Sequence, residues 1–565
     1  MPTPNPAPAS ASAASSPFSP QRTRFSLHLV LALLASAPAL AAAVPCAGLG
    51  GQAVAASAIG LPTLGAVIDS AVLVSSDSGL PFGVAPQTIS YCKVLGRILP
   101  VEAVGPDHTA ATGGLPINFQ VNLPAAWSKR AMQFGGGGYD GTLVTGTGNV
   151  AHAVAGSRTP LQRGYVTFGS DSGHQGKGHD GRFALRPEAL RNFTGDAIKK
   201  LRDVAQQLML QHYGEGPRYA YMSGGSSGGR ETLAAIQRWP QDYDGVVSHY
   251  PVLQFVGLGL HANDMAKAMY APGGFVNSAK MNHLNNQVLA ACDKLDGLED
   301  GLINNVAACH YDPSALRCYR NVDWGPACLT DAQLRTVRAI GGDLGLAFTL
   351  ANGITRAPGY EILAGANFGG PVDAGWLGLP LDAPTLVLNG YVFVMHNEWL
   401  KYFVTGNPNH DFRQFNPVTA GGHLGRVQQL SAMHDAMSTN LDTFSQRGGK
   451  VLMVHGTSDT IVTPRISVDY FERLSQRYGA GPLRNFLRFY TVAGFGHGEG
   501  RYQLSWNALD LIEDWVERDQ PPVNPTSTDL FNLFGRSRPL CEYPAFPRYQ
   551  GGPSQAASSF SCAPN

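Results

Sequence analysis

Charge is scarce and evenly split: 41 Lys and Arg stand against 41 Asp and Glu, together only 15% of 565 residues. No basic run breaks that balance, so nothing points to nucleic acid or an anionic membrane surface as a partner. The eight cysteines include no C-x-x-C pair, which argues against a thiolate zinc site or a dithiol redox site. The 67 glycines and 39 prolines follow no fibrous period, and 44% hydrophobic residues are too many for a disordered chain. What remains is a globular, loop-rich protein. Its length exceeds what one hydrophobic core usually serves, so either one large domain carrying a big insertion or two domains are expected.

The N-terminus pairs a Pro/Ala/Ser lead, "MPTPNPAPASASAASSPFSP", with the basic "QRTR" and the apolar "FSLHLVLALLASAPALAAA". This is the layout of a secretory signal cut near Ala43, residues 1–43. A membrane anchor is the alternative, but the run holds His28, Ser36 and Pro38 and is short for a span of about 20 residues. The protein is therefore expected to be secreted or periplasmic, with no membrane contact after cleavage. An oxidising compartment lets Cys46, Cys92, Cys292, Cys309, Cys318, Cys328, Cys541 and Cys562 pair, in an order that spacing leaves open.

Along the mature chain "INFQVNLP", "AMQFGGGG", "GYVTFGSDSG", "YAYMSGG" and "GGKVLMVHGTSD" are short apolar runs, each ending at Gly, Ser, Asp or Pro. Between them "NFTGDAIKKLRDVAQQLMLQHYG" and "GGRETLAAIQRWP" have helical spacing. Alternation of this kind predicts an α/β fold with a mostly parallel sheet and active residues on the loops after the strands. The rhythm fails between residues 251 and 437, which reads as a lid inserted between a first core segment, 44–250, and a second, 438–565.

In "YAYMSGGSSGGRE" an apolar strand, glycine-flanked serines and a helix start follow one another, the order of a nucleophile elbow. A phosphate cradle would want Lys after the glycines, where Arg230 and Glu231 stand. G-x-S-x-G fits in two registers, one centred on Ser226 and one on Ser227. The α/β hydrolase order Ser, acid, His points onward to Asp459 in "KVLMVHGTSDTIVTP" and His497 in "RFYTVAGFGHGEG". An oxyanion needs two backbone N–H groups, one from the residue after the nucleophile and one from the loop "MQFGGGGYDG". In the inserted region Asp293, Asp296 and Asp300 crowd three carboxylates around Gly297 and Gly301. Oxygen ligands at that density suit Ca²⁺, although a solvated acidic loop would look the same by spacing.

With these motifs, and with G-x-S-x-G-G-R, "GFGH", "RPLCEYP" and "CDKLDGLEDGLINN", the chain resembles the tannase and feruloyl esterase family of α/β hydrolases over nearly all of its mature length. The resemblance implies Ser226 as nucleophile with Asp459 and His497, and oxyanion donors at Gly138 and Ser227. It implies a structural Ca²⁺ in the lid, held by Asp293, Asp296, Asp300 and the carbonyls of Leu298 and Leu302. It also implies the bridges Cys46–Cys92, Cys292–Cys309, Cys318–Cys328 and Cys541–Cys562. One departure stands out: members usually tie the serine and histidine loops by a disulfide, and those two positions are Gly225 and Gly498 here. If the register is right, the two glycines lie side by side, close enough that cysteines there would join unless either glycine uses φ > 0 in a way a cysteine cannot follow.

The expected function is a serine carboxylesterase acting on small esters of hydroxybenzoic or hydroxycinnamic acids through an acyl-enzyme, with Trp376, Phe393 and Trp399 available to line an aromatic slot. An amidase or peptidase on the same triad is the alternative, as is a non-catalytic binding protein on a hydrolase scaffold. The sequence does not fix the acid, the alcohol or the oligomeric state.

Overall fold

Twelve strands carry the architecture: β1 (Ala53–Val54), β2 (Ala66–Ser75), β3 (Ser90–Ile98), β4 (Ile117–Pro124), β5 (Arg130–Phe134), β6 (Val166–Ser170), β7 (Tyr219–Gly225), β8 (Gly245–His249), β9 (Leu344–Leu350), β10 (Ile354–Ala357), β11 (Lys450–Gly456) and β12 (Leu487–Val492). This computed structural model describes residues 43–75, 89–102, 114–369, 390–530 and 535–565, which fall within one unit, Ala42–Asn565. Residues 1–42 of the proposed signal, which runs to Ala43, and Trp376 lie outside the described residues.

Ten strands form one sheet in the order β1-β2-β3-β4-β6-β5-β7-β8-β11-β12. From β6 to β12 every neighbouring pair is parallel, whereas β1 to β4 and the β4–β6 pair are antiparallel. The sheet is thus mixed, and its antiparallel wing was only partly visible in the sequence, through "INFQVNLP". Buried on both faces, β7 sends alternate side chains to opposite sides. Met222 packs in the cluster that holds Leu233 and Ile236, while Tyr221 packs with Ile512 and Trp515. Helices therefore cover both faces. Ala197–Tyr213 and Ser227–Arg238 lie on one side and Ala508–Arg518 on the other.

The helix predicted from "NFTGDAIKKL" begins at Ala197, after a wider turn over Asn192–Asp196. A side chain at Gly195 would collide with the Arg238 guanidinium, 2.4 Å from where its Cβ would stand. From Ala197 on, Ile198, Leu201, Val204, Ala205 and Leu208 keep the three- and four-residue spacing of a buried helical face.

The chain leaves the sheet after β8 and returns at β11, which pairs directly with β8. The region between is mainly helical, with Phe255–Tyr270, Ser278–Cys292, Asp331–Gly341, Tyr391–Glu398 and Leu424–His434 around the β9–β10 hairpin. Its buried residues, among them Val256, Leu334, Phe403 and Leu430, belong to the same cluster as Leu233 and Ile466 of the core. Among the described residues, then, this insertion shares its apolar core with the sheet.

Four disulfides join Cys46 to Cys92, Cys292 to Cys309, Cys318 to Cys328 and Cys541 to Cys562. The first spans 46 residues and the third 10. If cross-links act by restricting the unfolded chain, removing Cys46–Cys92 costs on the order of 4 kcal/mol and Cys318–Cys328 about 3 kcal/mol. The Cys46→Ala/Cys92→Ala protein is expected to melt lower than the Cys318→Ala/Cys328→Ala protein in differential scanning calorimetry.

Candidate active site

The turn between β7 and the helix Ser227–Arg238 is held at Ser226, which takes φ 60° and ψ −122°, a conformation that L-residues rarely adopt. Surrounding bonds fix it: the Ser226 N–H donates to the His249 carbonyl at 3.0 Å, and its carbonyl accepts from the Arg230 N–H at 3.0 Å. Gly224 and Gly228 are required because backbone segments approach one another too closely here for a Cβ. A Cβ at Gly224 would lie 2.4 Å from the Gly228 carbonyl oxygen, and one at Gly228 would lie 2.6 Å from that of Gly136. Of the two serines, Ser226 occupies the turn, while Ser227 opens the helix and its hydroxyl donates to the Gly138 carbonyl at 2.6 Å.

Asp459 follows β11 and is fully buried. Its Oδ2 accepts from Nδ1 of His497 at 2.7 Å, and its Oδ1 accepts from the N–H groups of Ile461 and Val462, each at 2.8 Å. His455, on β11, brings Nε2 to 3.3 Å of Oδ2 and braces its own ring against Ser467 Oγ at 2.8 Å. Burial works to raise the Asp459 carboxyl, but the charge of His497 and the hydrogen bonds from His455 and His497 outweigh it and hold the group below the ordinary carboxylate range.

Ser226, Ser227, Gly138 and His497 all border one cavity of about 410 Å³. Its far walls are apolar, made by Val252, Phe255, Leu258, Met395, Trp399 and Ile461. The glycine loop after β5 is committed at both ends. Gly136 donates its N–H to Glu231 Oε2 at 3.1 Å, and Tyr139 donates its N–H to the Gly178 carbonyl at 2.7 Å. Among the described residues no acceptor takes the N–H of Gly138 or Ser227, so both remain available at the Ser226 end of the cavity.

Trp399 reaches this cavity, but Phe393 does not: it stacks on Tyr270 at 4.9 Å and packs edge-on against Phe412, deep in the insertion. The sequence reading also missed several residues. Val252, Phe255 and Leu258 follow β8, His455 stands on β11, and Tyr250 sits one residue beyond β8 beside His497. Of these Val252 carried a positional signal, since it lies on the loop after β8 and loops after the carboxyl ends of parallel strands build the sites of such sheets.

At Asp293–Leu302 the carboxylates accept mainly from their own loop. Asp293 takes the N–H of Gly301 at 2.8 Å, and buried Asp296 takes that of Leu298 at 3.0 Å and the Asn304 amide at 2.6 Å. Asp300 accepts from Leu302 N–H at 3.2 Å and pairs with Arg538. Burial pushes Asp296 up to about 6, with the charge of Asp300 adding to the effect. The donor chemistry, all hard oxygen around two glycines at positive φ, fits a divalent cation. The three carboxylates do not all converge within 4.8 Å of one another.

Residues 92–563 match the family described as "Tannase and feruloyl esterase". The chain is 38% identical over 530 residues to an uncharacterized esterase of Agrobacterium fabrum, covering 92% of this chain and 93% of that one. It is 28% identical over 540 residues to mono(2-hydroxyethyl) terephthalate hydrolase of Piscinibacter sakaiensis, covering 85% and 87%. In fold it is similar to feruloyl esterase B from Aspergillus oryzae, with a TM-score of 0.71 and 23% identity over 89% of this chain and 98% of that one.

Proposed function

Since the chain belongs to the tannase and feruloyl esterase family and is a carboxylic ester hydrolase, we propose that it is an exported serine esterase that cleaves small esters of hydroxybenzoic or hydroxycinnamic acids by way of an acyl-enzyme. The observation that carries this reading is the apolar cavity that has Ser226, the two free N–H groups and the Asp459-bound His497 at one end. Ser226 Oγ attacks the ester carbonyl and passes its proton to His497. The Gly138 and Ser227 N–H groups hold the oxyanion, and the alcohol leaves with the proton from His497. Water, activated in turn by His497, then releases the acid. Asp459 keeps Nδ1 protonated throughout, so that Nε2 faces the serine.

The acyl group lies against Phe255 and Trp399, under the insertion acting as a lid. Among the described residues no Lys or Arg lines the cavity, so neutral acyl groups such as galloyl or feruloyl suit it better than one with a second, free carboxylate. A panel of methyl gallate, methyl ferulate, p-nitrophenyl acetate and the matching amides tests this. Aromatic esters should turn over fastest and the amides not at all. Equal rates on acetate and aromatic esters would remove the aromatic specificity, and amide cleavage would favour the amidase reading.

Export is supported by the leader "QRTRFSLHLVLALLASAPALAAA" and by four disulfides. Among the described residues no helix is long and apolar enough to cross a membrane. Ca²⁺ at Asp293, Asp296, Asp300 and the carbonyls of Leu298 and Leu302 completes the proposal. The ion would neutralise three carboxylates crowded into one loop, of which Asp296 is buried, and would take no part in the chemistry. Chelation should lower the melting temperature and added Ca²⁺ restore it, because an ion that binds only the folded state adds its binding free energy to stability. A melting temperature indifferent to both treatments would remove the metal.

A further inference from the structure

Gly225 adjoins Ser226 and Gly498 adjoins His497, so the space between these glycines separates the two halves of the site. The Tyr250 side chain reaches into it, with the His152 ring beside Gly498. A Cβ at Gly225 would lie 2.9 to 3.0 Å from the ring and hydroxyl of Tyr250, and a Cβ at Gly498 would lie 3.6 Å from the same hydroxyl. The exception to a bridge at these two positions applies: Gly498 has φ +92°, which a cysteine would adopt only with strain, and Tyr250 lies against both positions.

Tyr250 is itself held on both sides. Its N–H donates to the Val454 carbonyl at 2.7 Å, which fixes it across the β8–β11 seam. Its hydroxyl lies 2.9 Å from Nε2 of His152. The His152 carbonyl accepts from the Trp506 N–H at 2.9 Å, tying that residue to the chain just beyond His497. Around this pair the rings close on the histidine loop. Tyr250 lies 4.5 Å from the His497 ring at 51°, and His152 meets Phe495 edge-on at 4.9 Å.

We infer that Tyr250, hydrogen-bonded to His152, is a positioning residue that holds the His497 loop against the Ser226 turn, a non-covalent clasp at the place where a cross-link is absent. Burial supports the assignment of the bond. It raises the Tyr250 phenol, which stays protonated, and lowers His152 to about 4, which stays neutral, so the phenol donates and Nε2 accepts. Tyr250 also borders the cavity, and the clasp acts through its contact with the His497 ring. Its removal loosens the alignment of base and nucleophile, to which rate is steeply sensitive.

The inference rests on the roles proposed for Ser226 and His497, and the test separates the two. Tyr250→Phe and His152→Phe each keep a ring and delete the hydrogen bond. On a p-nitrophenyl ester each is expected to lower kcat by about tenfold with KM within about twofold, and the rate of phosphonate labelling should fall in step. The double variant should be no slower than the slower single one, because both delete the same bond. Unchanged kcat in Tyr250→Phe, a loss confined to KM, or losses that multiply in the double variant would overturn the clasp. If one variant does not fold, the kcat and KM of the other carry the test alone. An active Ser226→Ala would instead overturn the triad reading itself.

Discussion

Ser226→Ala is expected to lower turnover of a p-nitrophenyl ester by several powers of ten, whereas Ser227→Ala lowers it by only about tenfold. Both side chains are hydroxyls at the mouth of one cavity, but they are placed for different work. Ser226 occupies the strained turn after β7 and has His497 across the cavity. Ser227 directs its hydroxyl away, to the Gly138 carbonyl at 2.6 Å. Alanine at 227 keeps the backbone N–H that receives the oxyanion and loses only the bond that steadies the glycine loop, which accounts for an intermediate loss. Steady-state kcat and stoichiometric labelling by an active-serine phosphonate measure both effects. A dead Ser227→Ala beside an active Ser226→Ala would reverse the assignment.

Asp459→Asn should cost three to four powers of ten in kcat, by roughly the margin seen when a triad histidine loses its orienting carboxylate. The amide is nearly isosteric, so Oδ1 can still accept from Ile461 and Val462. What changes is the second atom. An NH₂ facing His497 forces Nδ1 to accept, moves the ring proton to Nε2 and leaves no base toward Ser226. A circular dichroism spectrum like that of the parent with kcat lost would separate this from misfolding, and a variant within tenfold of wild type would remove Asp459 from the mechanism. Stability carries a matching sign. The folded-state pKa of Asp459 is depressed, so its contribution is present above the unfolded value near 4 and is lost as pH falls below it.

The parts of the site that sit on regular elements could be read from the chain. β7 and β11 are runs of buried apolar residues that stop at glycine, and a strand that stops this way at a parallel sheet's carboxyl edge delivers its next residues to the site. Ser226 and Asp459 came from that logic, and His497 from its order after β12. The cavity walls could not be read so, because Phe255, Met395 and Trp399 converge only through packing of helices far apart in sequence. Phe393 shows the same limit from the other side: an aromatic residue six positions before Trp399, on the preceding helix, it faces Tyr270 and Phe412 rather than the cavity. Tyr250 escaped for a different reason. A tyrosine beside a catalytic histidine has no spacing signature, and only the void left by two glycines gives it meaning.

The β8–β11 seam also has a kinetic meaning. Gly245 pairs with Lys450, so the strand bearing the approach to Tyr250 and the strand leading to Asp459 meet only after the 204 residues between these two have been looped out. Closing so long a loop adds little to the equilibrium free energy, since the entropic cost grows only with the logarithm of length. It slows the search, because distant pairings must form before they are rewarded. β5, β7 and β8 can assemble with the serine turn while the acid and histidine are still unplaced, and a chain arrested there has a nucleophile without a base. During refolding, ester hydrolysis should therefore appear later than secondary structure, and its onset times the moment at which the two ends of the sheet meet.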